Sequence, residues 1–184
     1  MEEIDTYQPN YLDNMELEDK KKRLEEIYQQ FLHDPRVAKM KEVQMHRGSN
    51  CFMHSFRVAR LAVHRALKRK NVDAEAVLIA AILHDYYLYD WRQDKSKKRH
   101  HGQRHPYIAA QHAVEEFGVN DLVKKVIESH MWPVNFKEFP KTKEAKILSL
   151  TDKSIALREG LCSRRHKKKH WARYEKMISH LFKE

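Results

Sequence analysis

The chain has 184 residues and a formal net charge of +10, with 41% hydrophobic and 34% charged residues, which excludes a disordered polymer and suits one globular domain. Four glycines and five prolines are too few for an all-β fold built on tight turns. No apolar run reaches the roughly 18 residues of a membrane-spanning helix. The start, MEEIDTYQPNYLDNME, is acidic and polar rather than a secretory signal. Cys51 and Cys162 are far apart and make no CxxC pair, so a reducing cytoplasm is the expected setting. The basic balance favours phosphates, nucleotides or nucleic acid as partners, and 13 histidines direct attention to metal or acid–base chemistry.

Helical periodicity runs through the chain and predicts an all-α fold of roughly seven or eight helices. Residues 1–45 read as an N-terminal helical extension, with Leu17, Leu24, Ile27, Tyr28 and Phe31 on one stripe. Residues 46–160 read as the main domain. Its first helix carries Phe56, Val58, Leu61, Ala62 and Leu67 and stops near Asn71. Asp73 caps the apolar helix Ala74–Leu83. Residues 90–104, DWRQDKSKKRHHGQR, read as a polar, basic loop. Pro106 marks the next helix start and Gly118 its end. Asn120 or Asp121 caps a helix running to about Ser129, with Pro133 closing it. Thr142 opens the following helix, through Ile147, Leu148, Leu150, Ile155 and Leu157 to Gly160. Residues 161–184 read as a basic C-terminal helix of the same domain, with Trp171, Tyr174, Met177, Ile178 and Leu181 on one face.

Six polar residues fall on the apolar side of these helices. His54 precedes Val58 by four residues and Leu61 by seven. His84 and Asp85 end the apolar helix. His105 stands at a helix start, His130 follows Val126 and Ile127, and Asp152 follows Leu148 by four. Burying these groups is costly unless they are paired or bound to metal. Imidazoles and carboxylates are good ligands for Fe, Mn, Ni, Co or Zn, and the identity of the ion is not readable. His54, His84, Asp85 and Asp152 suffice for one ion. His105 and His130 have the chemistry for a second, with Asp85 as the bridge and the ions about 3.5–4 Å apart. A water between them would be acidified to a hydroxide nucleophile. His130 as a phosphate or outer contact is the alternative.

The order His54, His84-Asp85, His105, His130, Asp152 resembles the HD superfamily, metal-dependent phosphohydrolases on an all-helical fold, and in particular its binuclear H…HD…H…H…D branch. The resemblance covers about residues 50–157. It implies the same two-ion ligand set with Asp85 bridging, and hydrolysis of a nucleotide or other small phosphate ester. His105-Pro106-Tyr107-Ile108-Ala109-Ala110 looks like that branch's histidine–proline helix start. There is no GYP segment, and the HD pair is followed by Tyr86-Tyr87-Leu88-Tyr89-Asp90 rather than the HDxxED pattern of alarmone hydrolases. The pair is closer to the HD-Tyr of small bacterial members such as diadenosine-tetraphosphate hydrolases, which lack the long basic loop.

Lys95, Lys97, Lys98, Arg99 and Arg104 lie between the HD pair and His105. They read equally as a solvated loop or as a clamp for substrate phosphates. Arg57 is open between a phosphate contact and a surface role. His64 and His112 read as structural or surface residues, and His100 and His101 as solvated loop residues, with a general acid reaching the site as the lesser alternative. A di-iron oxygenase with the same ligands is an alternative function. So is a regulatory, nucleic-acid-binding module using the RRHKKKH tail, residues 164–170. No membrane partner is expected, and the sequence does not give the oligomeric state.

Overall fold

A computed structural model describes residues 16–45, 49–89, 100–161 and 182. Among them the regular structure is helical: α1 (Leu17–His33), α2 (Pro35–Ala38), α3 (Cys51–Ala66), α4 (Ala74–Leu83), α5 (His101–Phe117), α6 (Asp121–Glu128) and α7 (Lys143–Leu161). A 3-10 turn at Lys39–Glu42 and one isolated antiparallel bridge, Gln44 to Asn50, complete it.

Four of the helix starts, those of α3, α4, α6 and α7, carry side-chain caps. Asn50 accepts from the Met53 amide at 2.9 Å, Asp73 from Ala76 at 2.9 Å, Asn120 from Val123 at 2.9 Å and Thr142 from Ala145 at 3.1 Å. Gly118 ends α5 at φ 62°, a left-handed position that suits glycine. Every residue of α4 is buried, Glu75 included, whose carboxylate lies 3.7 Å from Arg23. Hence α4 has no polar face and forms the centre of the core, with α3, α6 and α7 packed around it and α1 alongside. Tyr28 of α1 meets Phe56 edge-on and stacks on Phe182 at 4.3 Å.

Two expectations are corrected. Pro106 does not start a helix, because α5 begins a turn earlier at His101. Only the first turn precedes the proline, so its missing N–H leaves one carbonyl, that of Gly102, without its helical donor. Consequently Gly102, Gln103 and Arg104 are helical rather than loop. Leu150 and Leu157, placed on the buried stripe of the last helix, are 66% and 60% exposed. They are seven residues apart and form a second stripe on the solvent side, while Leu148 and Ile155 are fully buried.

The cytoplasmic expectation meets one structural fact: among the described residues no helix is long and apolar enough to cross a membrane. Cys51 is buried, with its Sγ 3.3 Å from the Tyr87 hydroxyl. Cys162, the RRHKKKH tail, the C-terminal helix face and Lys95, Lys97, Lys98 and Arg99 lie outside the described residues.

Candidate metal centre

The fold brings all six polar residues together inside the bundle. His54, His84, Asp85, His105, His130 and Asp152 are each at most 7% exposed. Their ligand-capable atoms form two overlapping triplets, His54–His84–Asp152 and His84–Asp85–His130, each within 4.8 Å. His105 joins through Asp85, with its Nε2 3.2 Å from Oδ1, and its Nε2 stands 3.1 Å from that of His130.

Local geometry aims the rings. His84 Nδ1 lies 2.8 Å from the Ala81 carbonyl, His130 Nδ1 2.7 Å from Ile127 and His105 Nδ1 2.9 Å from His101. A carbonyl oxygen only accepts, so each Nδ1 carries the proton. In the neutral imidazole, Nε2 then presents a lone pair to the cluster. His84 Nε2 is buried without a hydrogen-bond partner, 3.4 Å from Asp85 and 3.8 Å from Asp152. His105 and His130 turn two such nitrogens toward each other. Lone pairs facing one another and facing carboxylates need a cation or protons between them. The donor set therefore fits a first-row divalent metal.

His54 is aimed differently. Its Nδ1 is 2.9 Å from Glu159 Oε2 and its Nε2 is 3.0 Å from Asp152 Oδ1. Burial opposes charge on this ring, but the two carboxylates raise its pKa to about 10. Burial likewise works against Asp152 and Asp85. The His54 hydrogen bond, with His84, His54 and His130 nearby, brings Asp152 to about 2. His84, His105 and His130 hold Asp85 well below the usual carboxylate range. Burial, reinforced by His84 and His105, lowers His130 to about 3. The cluster thus favours anionic carboxylates and a neutral His130, forms that ligate metals, whereas His54, held between two carboxylates, is favoured as its cation and has to release the Nε2 proton to ligate.

Several neighbours were not singled out from the sequence. Glu159 is 4% exposed and also accepts from Arg57 at 2.9 Å, so Arg57 braces this carboxylate. Its only sequence signal is its position seven residues after Asp152. Lys153 donates to the His130 carbonyl at 2.8 Å and to Ser149 Oγ at 2.9 Å, and Ser149 donates to the same carbonyl at 2.9 Å. This clamps the turn that holds His130. His101, expected in a loop, is helical and stacks on His105 at 4.6 Å, with its Nδ1 3.0 Å from the Tyr89 hydroxyl. Burial and then the charge of His105 lower its pKa to about 4. His112 is structural, its Nδ1 donating to the Tyr86 carbonyl at 3.1 Å. Arg104 is exposed on α5, next to His105.

The HD domain family profile matches residues 51–157, more than half of the chain. The chain belongs to the HD-domain family. No curated protein and no solved structure matches it. The matched span of the HD domain runs from the start of α3 to near the end of α7 and includes all six clustered residues. Glu159 lies just beyond it.

Proposed function

We propose that the HD domain is a metal-dependent phosphohydrolase acting on a nucleotide or another small phosphate ester. His54, His84, Asp85 and Asp152 would hold one ion, and His105 and His130, sharing Asp85, a second. The observation carrying this reading is the disposition of Asp85. Its Oδ2 faces His84, while its Oδ1 faces His105 and, at 3.9 Å, His130. The two oxygens therefore look toward different histidines, as a bridging carboxylate does. When bound, such ions supply Lewis acidity toward phosphoryl oxygens and lower the pKa of water toward neutrality.

The chain's own part is orientation and exclusion of water. Backbone carbonyls fix the tautomers of His84, His105 and His130, Glu159 fixes His54, and the burial of α4 keeps the cluster dry. Arg104, exposed beside His105, is suited to meet substrate phosphate, with Lys95, Lys97, Lys98 and Arg99 preceding it in sequence. In domain terms, we likewise take residues 46–160 as the HD domain and residues 1–45 as an N-terminal extension, of which α1 packs on α4; residues 161–184, assigned to the same domain, lie for the most part outside the described residues.

The test is metal analysis of the purified chain, followed by phosphate release from a panel of nucleotides and generic phosphoesters with Fe, Mn, Co, Ni or Zn. Two ions per chain, and release lost in Asp85→Ala, are the expected results. No ion before or after reconstitution, or unchanged release in Asp85→Ala, overturns the proposal.

A further inference from the structure

A second concavity lies away from the metal centre, between the C-terminal half of α3 and the N-terminal half of α7. Its volume is about 510 Å3 and its lining includes Arg65, Arg69, Lys143, Lys146, Ile147 and Leu150. Along the helix axes, Arg65 is about 16 Å from His54 and Lys143 about 14 Å from Asp152, and Leu150, though only two residues before Asp152, faces the solvent side while Asp152 is buried. Four of these six residues are cationic and none is acidic. Among the described residues, Arg69, Lys143 and Lys146 make no ion pair.

The head groups of Arg69 and Lys143 are anchored without being neutralised. Arg69 donates to the Arg65 carbonyl at 2.7 Å and Lys143 to the Lys70 carbonyl at 3.1 Å, while Arg65 is engaged by Thr151 Oγ1 at 2.9 Å. One bond each leaves Arg69 and Lys143 with further N–H donors to offer. The first turn of α7 begins at Lys143 and adds the positive end of a 19-residue helix. Its acidic member, Glu144, is buried and accepts from the Asp73 amide at 3.0 Å. Like charges gathered round a cleft repel one another, and an anion seated between them relieves that repulsion. Beside the cations, Ile147 and the 66% exposed Leu150 form an apolar wall. Small-ligand sites commonly measure about 300–1,000 Å3, so the cleft has the size for a compact molecule rather than the long basic stripe that a duplex needs.

We infer that this cleft is a second ligand site, taking a small molecule that joins at least two phosphate groups to an apolar or aromatic body. It stands whether or not the metal centre hydrolyses anything.

The probe is ATP, titrated calorimetrically without divalent metal into the full chain carrying Asp85→Ala, with AMP as comparison. ATP should bind with a Kd below about 100 μM and AMP at least about tenfold more weakly. Arg69→Glu/Lys146→Glu should weaken ATP binding by at least about tenfold, and Arg69→Gln/Lys146→Gln by less. All four substitutions fall on exposed positions, so circular dichroism should match the parent. Lys125→Glu/Lys137→Glu makes the same charge change elsewhere and should leave the affinity within about twofold. The inference is overturned if ATP produces no binding, if AMP binds equally well, or if both double reversals weaken ATP alike. It is also overturned if ATP binds the wild-type chain but not Asp85→Ala, which places ATP at the metal centre. A short DNA duplex that binds more tightly than ATP, and is lost with Arg69→Glu/Lys146→Glu, makes the occupant nucleic acid instead.

Discussion

Replacing Glu159 tests whether the reach of its carboxylate across the bundle matters to metal affinity. Its Oε2 lies 2.9 Å from His54 Nδ1, its Oε1 lies 2.9 Å from Arg57, and the side chain is 4% exposed. Among the described contacts neither ring nitrogen of His54 meets a carbonyl of α3, unlike the other three histidines, whose Nδ1 donates to a carbonyl three or four residues back. Losing an outer hydrogen bond of this kind costs about 10–100-fold in metal affinity. Glu159→Ala removes both the acceptor and the negative charge, so about 100-fold, or about 2.7 kcal/mol, is expected. Glu159→Gln keeps an acceptor oxygen toward Nδ1 while losing the charge, and should cost about tenfold. The assay is competition for Co(II) against a chromogenic chelator at pH 7.5, with helical content checked first. Glu159→Ala binding within twofold of the wild type would refute the argument, as would equal losses for alanine and glutamine.

Three further outcomes follow from the same geometry. With an ion at 100 times its Kd, the loaded chain should gain about 2.7 kcal/mol over the chelated chain, a Tm rise of about 5–11 °C in differential scanning calorimetry. His84→Ala should abolish that rise. Leu78→Ala, in the fully buried α4, should lower stability by about 2–5 kcal/mol in urea titration, with little change in the slope. The third concerns acid. Burial alone would raise the pKa of Asp34, but its hydrogen bonds to Arg36 and the Arg36 charge lower it. A depressed carboxylate stabilises the fold above its unfolded pKa of 3.8 and loses that contribution as pH falls through the folded value. Between pH 6 and pH 3, Asp34→Asn should therefore lose less stability than the wild type, by under about 1 kcal/mol for this partly exposed pair.

The positions of the six clustered residues were legible because spacing alone says which side of a helix a residue occupies. His54 with Val58 and Leu61, and Asp152 with Leu148 and Ile155, share a face in sequence and in space. The caps at Asp73 and Asn120 were legible for the same local reason. Glu159 was not, because a glutamate beside Gly160 near a helix end looks solvated. Its burial depends on partners more than a hundred residues away. Leu150 and Leu157 misled because α7 carries two stripes at seven-residue spacing, and only packing against α3 and α4 selects one. Pro106 misled because proline favours first turns without requiring them.

The four histidines are not aimed by the same kind of contact. Three have Nδ1 donating to a carbonyl three or four residues back in the chain. His54 takes its orientation from Glu159, just past the opposite end of the matched span. Three quarters of the imidazole set is thus pointed by nearby backbone, and the last quarter waits until α7 closes against α3. The full donor set is assembled only in the completed fold, which would make ion affinity a gauge of whether that closure has happened.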